Sequence, residues 1–206
     1  MQPGPGAAFE VVEAEFLKRE LPITMSQNDW PPHHDRAANE TLPFGETVRE
    51  RRSVRRFLSR PVSAEVISVA LEEAQLSPSN CNTQPWLTHI ATGNALARIS
   101  KALIPAWNEN RFSLDFSFSY DDYRDIWSQR QKSQGADYYR AVGVSREDAE
   151  QRDAISRNNL TFFGAAHAAF LFMPSVGDNV RSAADLGMYA QTFMLALAAR
   201  GIASIP

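Results

Sequence analysis

From Ser63 to Leu76 the apolar residues Val66, Ile67, Ala70, Leu71 and Ala74 recur three and four positions apart, the spacing of an amphipathic helix. Ser63 is placed to cap its start, and the turn-forming Ser77, Pro78, Ser79 and Asn80 should end it near Leu76. Trp86 to Thr92 reads as a strand closed by Gly93 and Asn94, followed by a short helix over Ala95 to Leu103. Ala166 to Met173 is apolar throughout between Gly164 and Pro174, the pattern of a strand buried on both faces. Ser145 with Asp148 predicts a capping box heading a helix that reaches Asn159. The longest apolar stretch, Ala183 to Ala199, is broken by Asp185, Gly187, Gln191 and Thr192; it predicts a buried helix from Ser182 to Arg200, with Gly201 at C′. Ile202 onward could begin a further strand. Helices interleave with fewer strands, so the class is α+β or α/β.

Two segments depart from this pattern. Residues 1–45 hold six prolines and only one short helix-compatible stretch, Glu10 to Leu21, and read as an extended arm. Trp107 to Tyr139 gathers nine of the chain's 21 aromatics amid charged residues, as expected of a partly exposed helical insertion. Such an insertion could act as a lid that stacks flat substrates, or simply cover the core or a subunit seam.

Composition narrows the functional classes. The 206 residues suffice for one core; they contain 44% hydrophobic and 22% charged residues, which fits an ordinary globular domain. A single cysteine, Cys81, excludes an internal disulfide framework and a multi-cysteine metal site. The net charge of −3 opposes recruitment of nucleic acid or anionic membrane by the overall field, and no apolar run matches a membrane span. Without a secretory signal pattern at the N-terminus, the expected location is cytoplasmic.

Against that background the stretch Glu46 to Arg60 stands out: six arginines and two glutamates give it a local +4. It permits a helix up to Leu58, on which Arg51 would face Arg55 and Arg52 would face Arg56. Such pairs repel unless an anion lies between them. Arginine forks, with the Ser53 hydroxyl beside them, suit a phosphate. The alternatives are a basic face paired with Glu72, Glu73 or Asp115, or a nucleic-acid patch. Downstream, residues 77–86 (SPSNCNTQPW) form a polar loop whose amides could read a ring edge that alternates N–H and C=O, or could cap the loop's own backbone. Cys81 lacks a resolving partner, so a redox role is discounted; His33 and His34 lack further metal ligands. His89 and His167 fall in predicted strands and read as core histidines.

The run RRSVRRF at 51–57 followed by SPSNCNTQPW at 77–86 resembles the FMN-dependent nitroreductase family. Arg157-Asn158-Asn159, Phe162-Phe163-Gly164-Ala165, and Asp185-Leu186-Gly187-Met188 with Gln191 resemble its nitrobenzoate-reductase-like branch. The resemblance implies an α+β, three-layer fold, with a mainly antiparallel central sheet flanked by helices, spanning residues 46–206. It also implies a homodimer with two FMN sites at its interface. Arg51, Arg52 and Ser53 would hold the phosphate and ribityl chain, and Arg55 would lie near flavin N1 and O2, favouring the reduced flavin. Pro78, Ser79 and Asn80 would line the isoalloxazine; Asn82 and Gln84 would bond its polar edge or the ribityl hydroxyls. Trp86 reads as core. The flavin carries the chemistry, so no separate catalytic side chain is expected: NAD(P)H would reduce FMN, which would reduce nitroaromatics, quinones or related acceptors. Family members continue beyond the segment matching residues 201–206, so a non-catalytic flavin-binding relative or an inactive fragment is the alternative expectation.

Overall fold

The computed structural model describes residues 40–111 and 113–206. The predicted arm and its short helix, His33, His34 and Phe112 lie outside the described residues. Six helices and two strands follow in the order α1 (Phe44–Glu50), α2 (Ala64–Ala74), β1 (Leu87–Thr92), α3 (Gly93–Asn108), α4 (Asp125–Ala141), α5 (Ala149–Arg157), β2 (His167–Phe172) and α6 (Val180–Ala199).

The core forms where α2 lies along α6. Ala70 and Ala74, both fully buried, present a small-residue stripe to Tyr189, Phe193 and Ala196, which recur one helical turn apart on α6. Short side chains on α2 allow close approach, and the larger ones on α6 fill the space. Tyr189 then ties the helix pair to the sheet: its ring stacks on Trp86 with centroids 4.9 Å apart, and its hydroxyl bonds the Thr88 hydroxyl at 2.9 Å. Trp86, expected as a core residue at the start of a strand, is half-buried one position before β1 and packs against the edge of this core. At the far end of the pair Arg200, 2% exposed, forms a bidentate ion pair with Glu73 at 2.6 and 2.8 Å and also donates to the Ala196 carbonyl.

β1 and β2 pair antiparallel, with Ile90 opposite Ala169 and Thr88 opposite Leu171. Ile90 and Leu171 pack toward the α2–α6 core, while Phe170, on the other face, meets Phe162 edge-on at 6.0 Å. Helical segments thus flank a short antiparallel sheet, an α+β arrangement.

Several predicted elements match: Ser63 Oγ accepts from the Val66 N–H at the start of α2, and α6 ends in a Schellman turn at Gly201 (φ 77°), with Ile202 N–H donating to the Leu197 carbonyl. Others are corrected. β2 is not buried on both faces, because Ala169 and Phe172 are exposed in a sheet that has two strands among the described residues. Helix α3 starts at Gly93 and continues through Pro105 to Asn108. Proline in its last turn removes one N–H while the Pro105 carbonyl still accepts from Glu109. The cap of α5 is Asp148, whose carboxylate accepts from Gln151 N–H at 2.9 Å. Ser145 instead donates its hydroxyl to Glu147, and that bond holds the Glu147 carboxyl below its ordinary range. His89 is exposed and lies edge-on to Phe172 rather than in the core. His167 Nε2 accepts from Val62 N–H at 2.9 Å.

Candidate functional site

The arginine run does not form a helix. Helix α1 stops at Glu50, Arg51 caps it with extended backbone (φ −58°, ψ 122°), and the chain continues extended beside the segment that follows α6. Ser53 and Ser204 form a parallel bridge, and Val54 N–H donates to the Ser204 carbonyl at 3.1 Å. The facing pairs expected on a helix, Arg51 with Arg55 and Arg52 with Arg56, are thereby lost. Four cations in two turns would have repelled, and the bridge offers the backbone another partner. In the extended form alternate residues share a side, so Arg51 and Arg55 fall together and are half-buried, while Arg52 and Arg56 are exposed.

Among the described residues no carboxylate pairs with Arg51, Arg52, Arg55 or Arg56. The neutral alternative of a basic face paired with acidic neighbours fails at Glu73, which Arg200 holds. Arg52 and Arg55 donate only to the backbone carbonyls of Arg51 and Ser53, at 2.8 and 3.4 Å. Arg55 also has an aromatic partner, its guanidinium carbon lying 4.8 Å from the centre of the Tyr138 ring on α4. Burial raises the Tyr138 phenol above its ordinary pKa, and the Arg55 cation partly opposes that shift. A cluster of uncompensated guanidinium groups is a seat for an anion with several oxygens.

The polar loop at 77–86 is held from below by α6. Ser77 donates its hydroxyl to Thr192 Oγ1 at 2.9 Å, and the buried Asp185 carboxylate accepts from the Asn80 N–H at 3.0 Å. Within the loop the Ser79 hydroxyl accepts from Gln84 N–H and the Thr83 hydroxyl donates to the Asn80 carbonyl, each at 2.9 Å. Cys81, Asn82 and Gln84 all adopt positive φ (54°, 53° and 48°), a backbone state that costs free energy and persists only where surrounding bonds enforce it. Hydroxyls and one carboxylate do the capping. The side-chain amides of Asn80, Asn82 and Gln84 are exposed and make no hydrogen bond among the described residues. They are free to read a ligand edge, as is the face of the exposed Pro78. Cys81 is exposed as a free thiol.

Among the described residues no hydrogen bond or ion pair joins these two halves. The arginine segment is bridged to Ser204, in the chain that follows α6, whereas the loop is anchored at Asp185 in the first half of that helix. Asp185 and Ala199 are 14 positions apart on one helix, about 21 Å along its axis at 1.5 Å per residue. An open cavity of about 340 Å³ lies elsewhere, between Ser59, Pro61, the start of α3 and Phe162, and none of the nine predicted site residues lines it. As donor sets, free guanidinium groups at one place and free amides at the other suit the phosphate and the ring edge of FMN.

Sequence reasoning did not assign roles to two residues. Tyr138 was one of many aromatics in the insertion, with no signal to single it out. Asp185 did leave a trace: it and Thr192 interrupt the apolar pattern of α6, and both anchor the loop.

The family model for the nitroreductase family matches residues 48–206. Nitroreductase NfnB of Mycolicibacterium smegmatis is 37% identical over 176 residues, covering 81% of this chain and 75% of that one. The 4-nitrobenzoate reductase of Pseudomonas putida is 34% identical over 169 residues, covering 81% and 72%. Among solved structures, that of the FMN-dependent nitroreductase NfnB from Mycobacterium smegmatis in complex with NADPH superposes with a TM-score of 0.74 at 36% identity, covering 77% of this chain and 71% of that one.

Proposed function

The chain belongs to the nitroreductase family, and on that premise we propose that it is an FMN-dependent oxidoreductase driven by NAD(P)H, reducing nitroaromatics, quinones or related acceptors. The observation that carries the reading is the set of arginines at 51–56 without carboxylate partners among the described residues. When bound, FMN would supply the redox chemistry, as a carrier of hydride equivalents between the nicotinamide and the acceptor.

What the chain itself contributes is placement and charge. Arg51, Arg52 and the Ser53 hydroxyl hold the phosphate and ribityl end. Arg55 would supply a cation toward N1 and O2, where negative charge gathers on reduction, and so would favour the reduced state. Pro78, Ser79 and Asn80 line the ring face, and the free amides of Asn82 and Gln84 bond the ring edge or ribityl hydroxyls. The protons that the acceptor takes up on reduction would come from water, and no separate catalytic side chain is assigned.

The proposal includes a homodimer with FMN at its interface and a cytoplasmic location. Two observations support the dimer: the halves of the site are separated along α6, and the space over Gly187 on α6 is open, with nothing within 4 Å of where a Cβ would stand. No helix among the described residues is long and apolar enough to cross a membrane.

The test is to add FMN to the purified chain, record its visible spectrum and mix it with NADPH under anaerobic conditions. The expected result is a bound flavin spectrum that bleaches on mixing and returns when a nitroaromatic is added. Bound flavin that never bleaches would instead assign the chain as a flavin binder without turnover, and a colourless protein would sink the reading.

A further inference from the structure

Among the described residues, the half-buried positions of helix α4 form one stripe. Ser128, Gln131, Gly135, Tyr138 and Tyr139 are the half-buried positions, at the three- and four-residue spacing of one helix face, while Ile126 and Trp127 stay exposed. Most of that stripe is small or polar. Its defined attachments are two aromatic rings on two guanidinium groups: Tyr138 on Arg55 at 4.8 Å and Tyr139 on Arg152 at 4.7 Å. Arg152 belongs to the adjacent α5, but Arg55 belongs to the arginine segment. Among the described residues, the ring contact of α4 with the proposed flavin site is made by Tyr138.

We infer that Tyr138 is a positioning residue for Arg55: the guanidinium carbon lies over its ring, which would hold the cation in place beside the flavin without occupying it with a carboxylate. This rests on the function proposed above. Three features favour it over simple packing. Arg55 has no carboxylate among the described residues to hold it, and its one hydrogen bond, to the Ser53 carbonyl, is long at 3.4 Å. A guanidinium held over an aromatic ring is not engaged by a carboxylate, which would occupy its donor fork. An aromatic ring also fixes the cation without neutralising it, leaving the full charge to act on the reduced flavin.

Tyr138→Leu removes the ring and Tyr138→Phe retains it, with Arg55→Ala as the reference. In flavin-free protein, unfolding of these variants singly and of Arg55→Ala with Tyr138→Leu should give a coupling of about two- to fivefold in the unfolding constant. In FMN-loaded protein, the ratio of reduced to oxidised flavin at fixed potential should fall about tenfold in Tyr138→Leu, equivalent to a midpoint about 30 mV more negative. Tyr138→Phe should restore it, and Arg55→Ala should shift it at least as far. If Tyr138→Leu matches the unsubstituted protein in potential while Arg55→Ala shifts it, the positioning role is overturned and the flavin assignment stands. If Arg55→Ala leaves the potential unchanged, or the unsubstituted chain binds no FMN, the site assignment falls and takes the proposal with it. A Tyr138→Phe variant that behaves like Tyr138→Leu also overturns the proposal, because the ring face would then not be what matters.

Discussion

Asp185 sits 5% exposed on the helix that forms the core, and its carboxylate accepts the N–H of Asn80 from a loop whose next residues are held at positive φ. A bond from a backbone N–H to a carboxylate is stronger than one between neutral groups. Without it, the strained turn at Cys81, Asn82 and Gln84 would relax and the free amides would lose their common orientation. Asp185→Ala should therefore lower stability in urea by about 2 kcal/mol, and Asp185→Asn, which keeps an acceptor oxygen, by clearly less. FMN affinity should follow the same order, and identical unfolding of both variants and the unsubstituted protein would show that the anchor is not needed. At this scale the sequence displayed the chemistry and hid the geometry. The arginines and the Asn/Gln loop were visible as residue types, because unpaired charge and amide density are written in composition. The partners of those residues were not, since Tyr138 and Asp185 lie far along the chain from the groups they touch, and only the tertiary fold decides which of nine clustered aromatics meets Arg55.

Elements were legible where local rules and burial agreed. Helix α2 has a capping serine, an apolar stripe and a stop signal; it starts directly after Ser63 as expected and ends at Ala74, two residues short of Leu76. Where a local rule competed with another, spacing alone misled. The arginine run satisfied helix propensity but failed on charge repulsion, and the chain took an extended path beside Ser204. Ser145 matched a cap motif, yet Asp148 stood closer to the helix start and took the role. On α6, Gly187 keeps a helix-weakening residue in the middle of an otherwise strong helix, and the space above it within the chain is open. Glycine in a helix interior costs roughly 1 kcal/mol against alanine. Gly187→Ala should thus raise the stability of the dissociated chain by about that amount while weakening self-association, if this face lies in a subunit seam. Sedimentation across a concentration series, beside denaturant unfolding at low concentration, measures both. A variant that gains stability and associates as tightly as before would remove Gly187 from the seam.

At the scale of the whole molecule, the helix that organises the core also separates the two motifs. Ser53 bridges to Ser204 past one end of α6, and Asn80 is tied to Asp185, about 21 Å away along the axis from Ala199. The helix cannot shorten to bring them together, because Tyr189, Phe193 and Ala196 fix one face of it against α2. Two copies related by a twofold axis offer another route: each can present its arginine segment to its partner's loop, giving two equivalent composite sites. Mixing experiments distinguish this from a site built within one chain. Arg51→Ala damages only the arginine half and Asn82→Ala only the loop half, so either homodimer has two defective sites. After unfolding and refolding the two variants together, random pairing makes half the dimers mixed, and each mixed dimer has one site with both halves intact. About a quarter of all sites should then regain tight FMN binding, read by quenching of flavin fluorescence. If each site lies within one chain, mixing returns nothing, since every chain still carries its own defect.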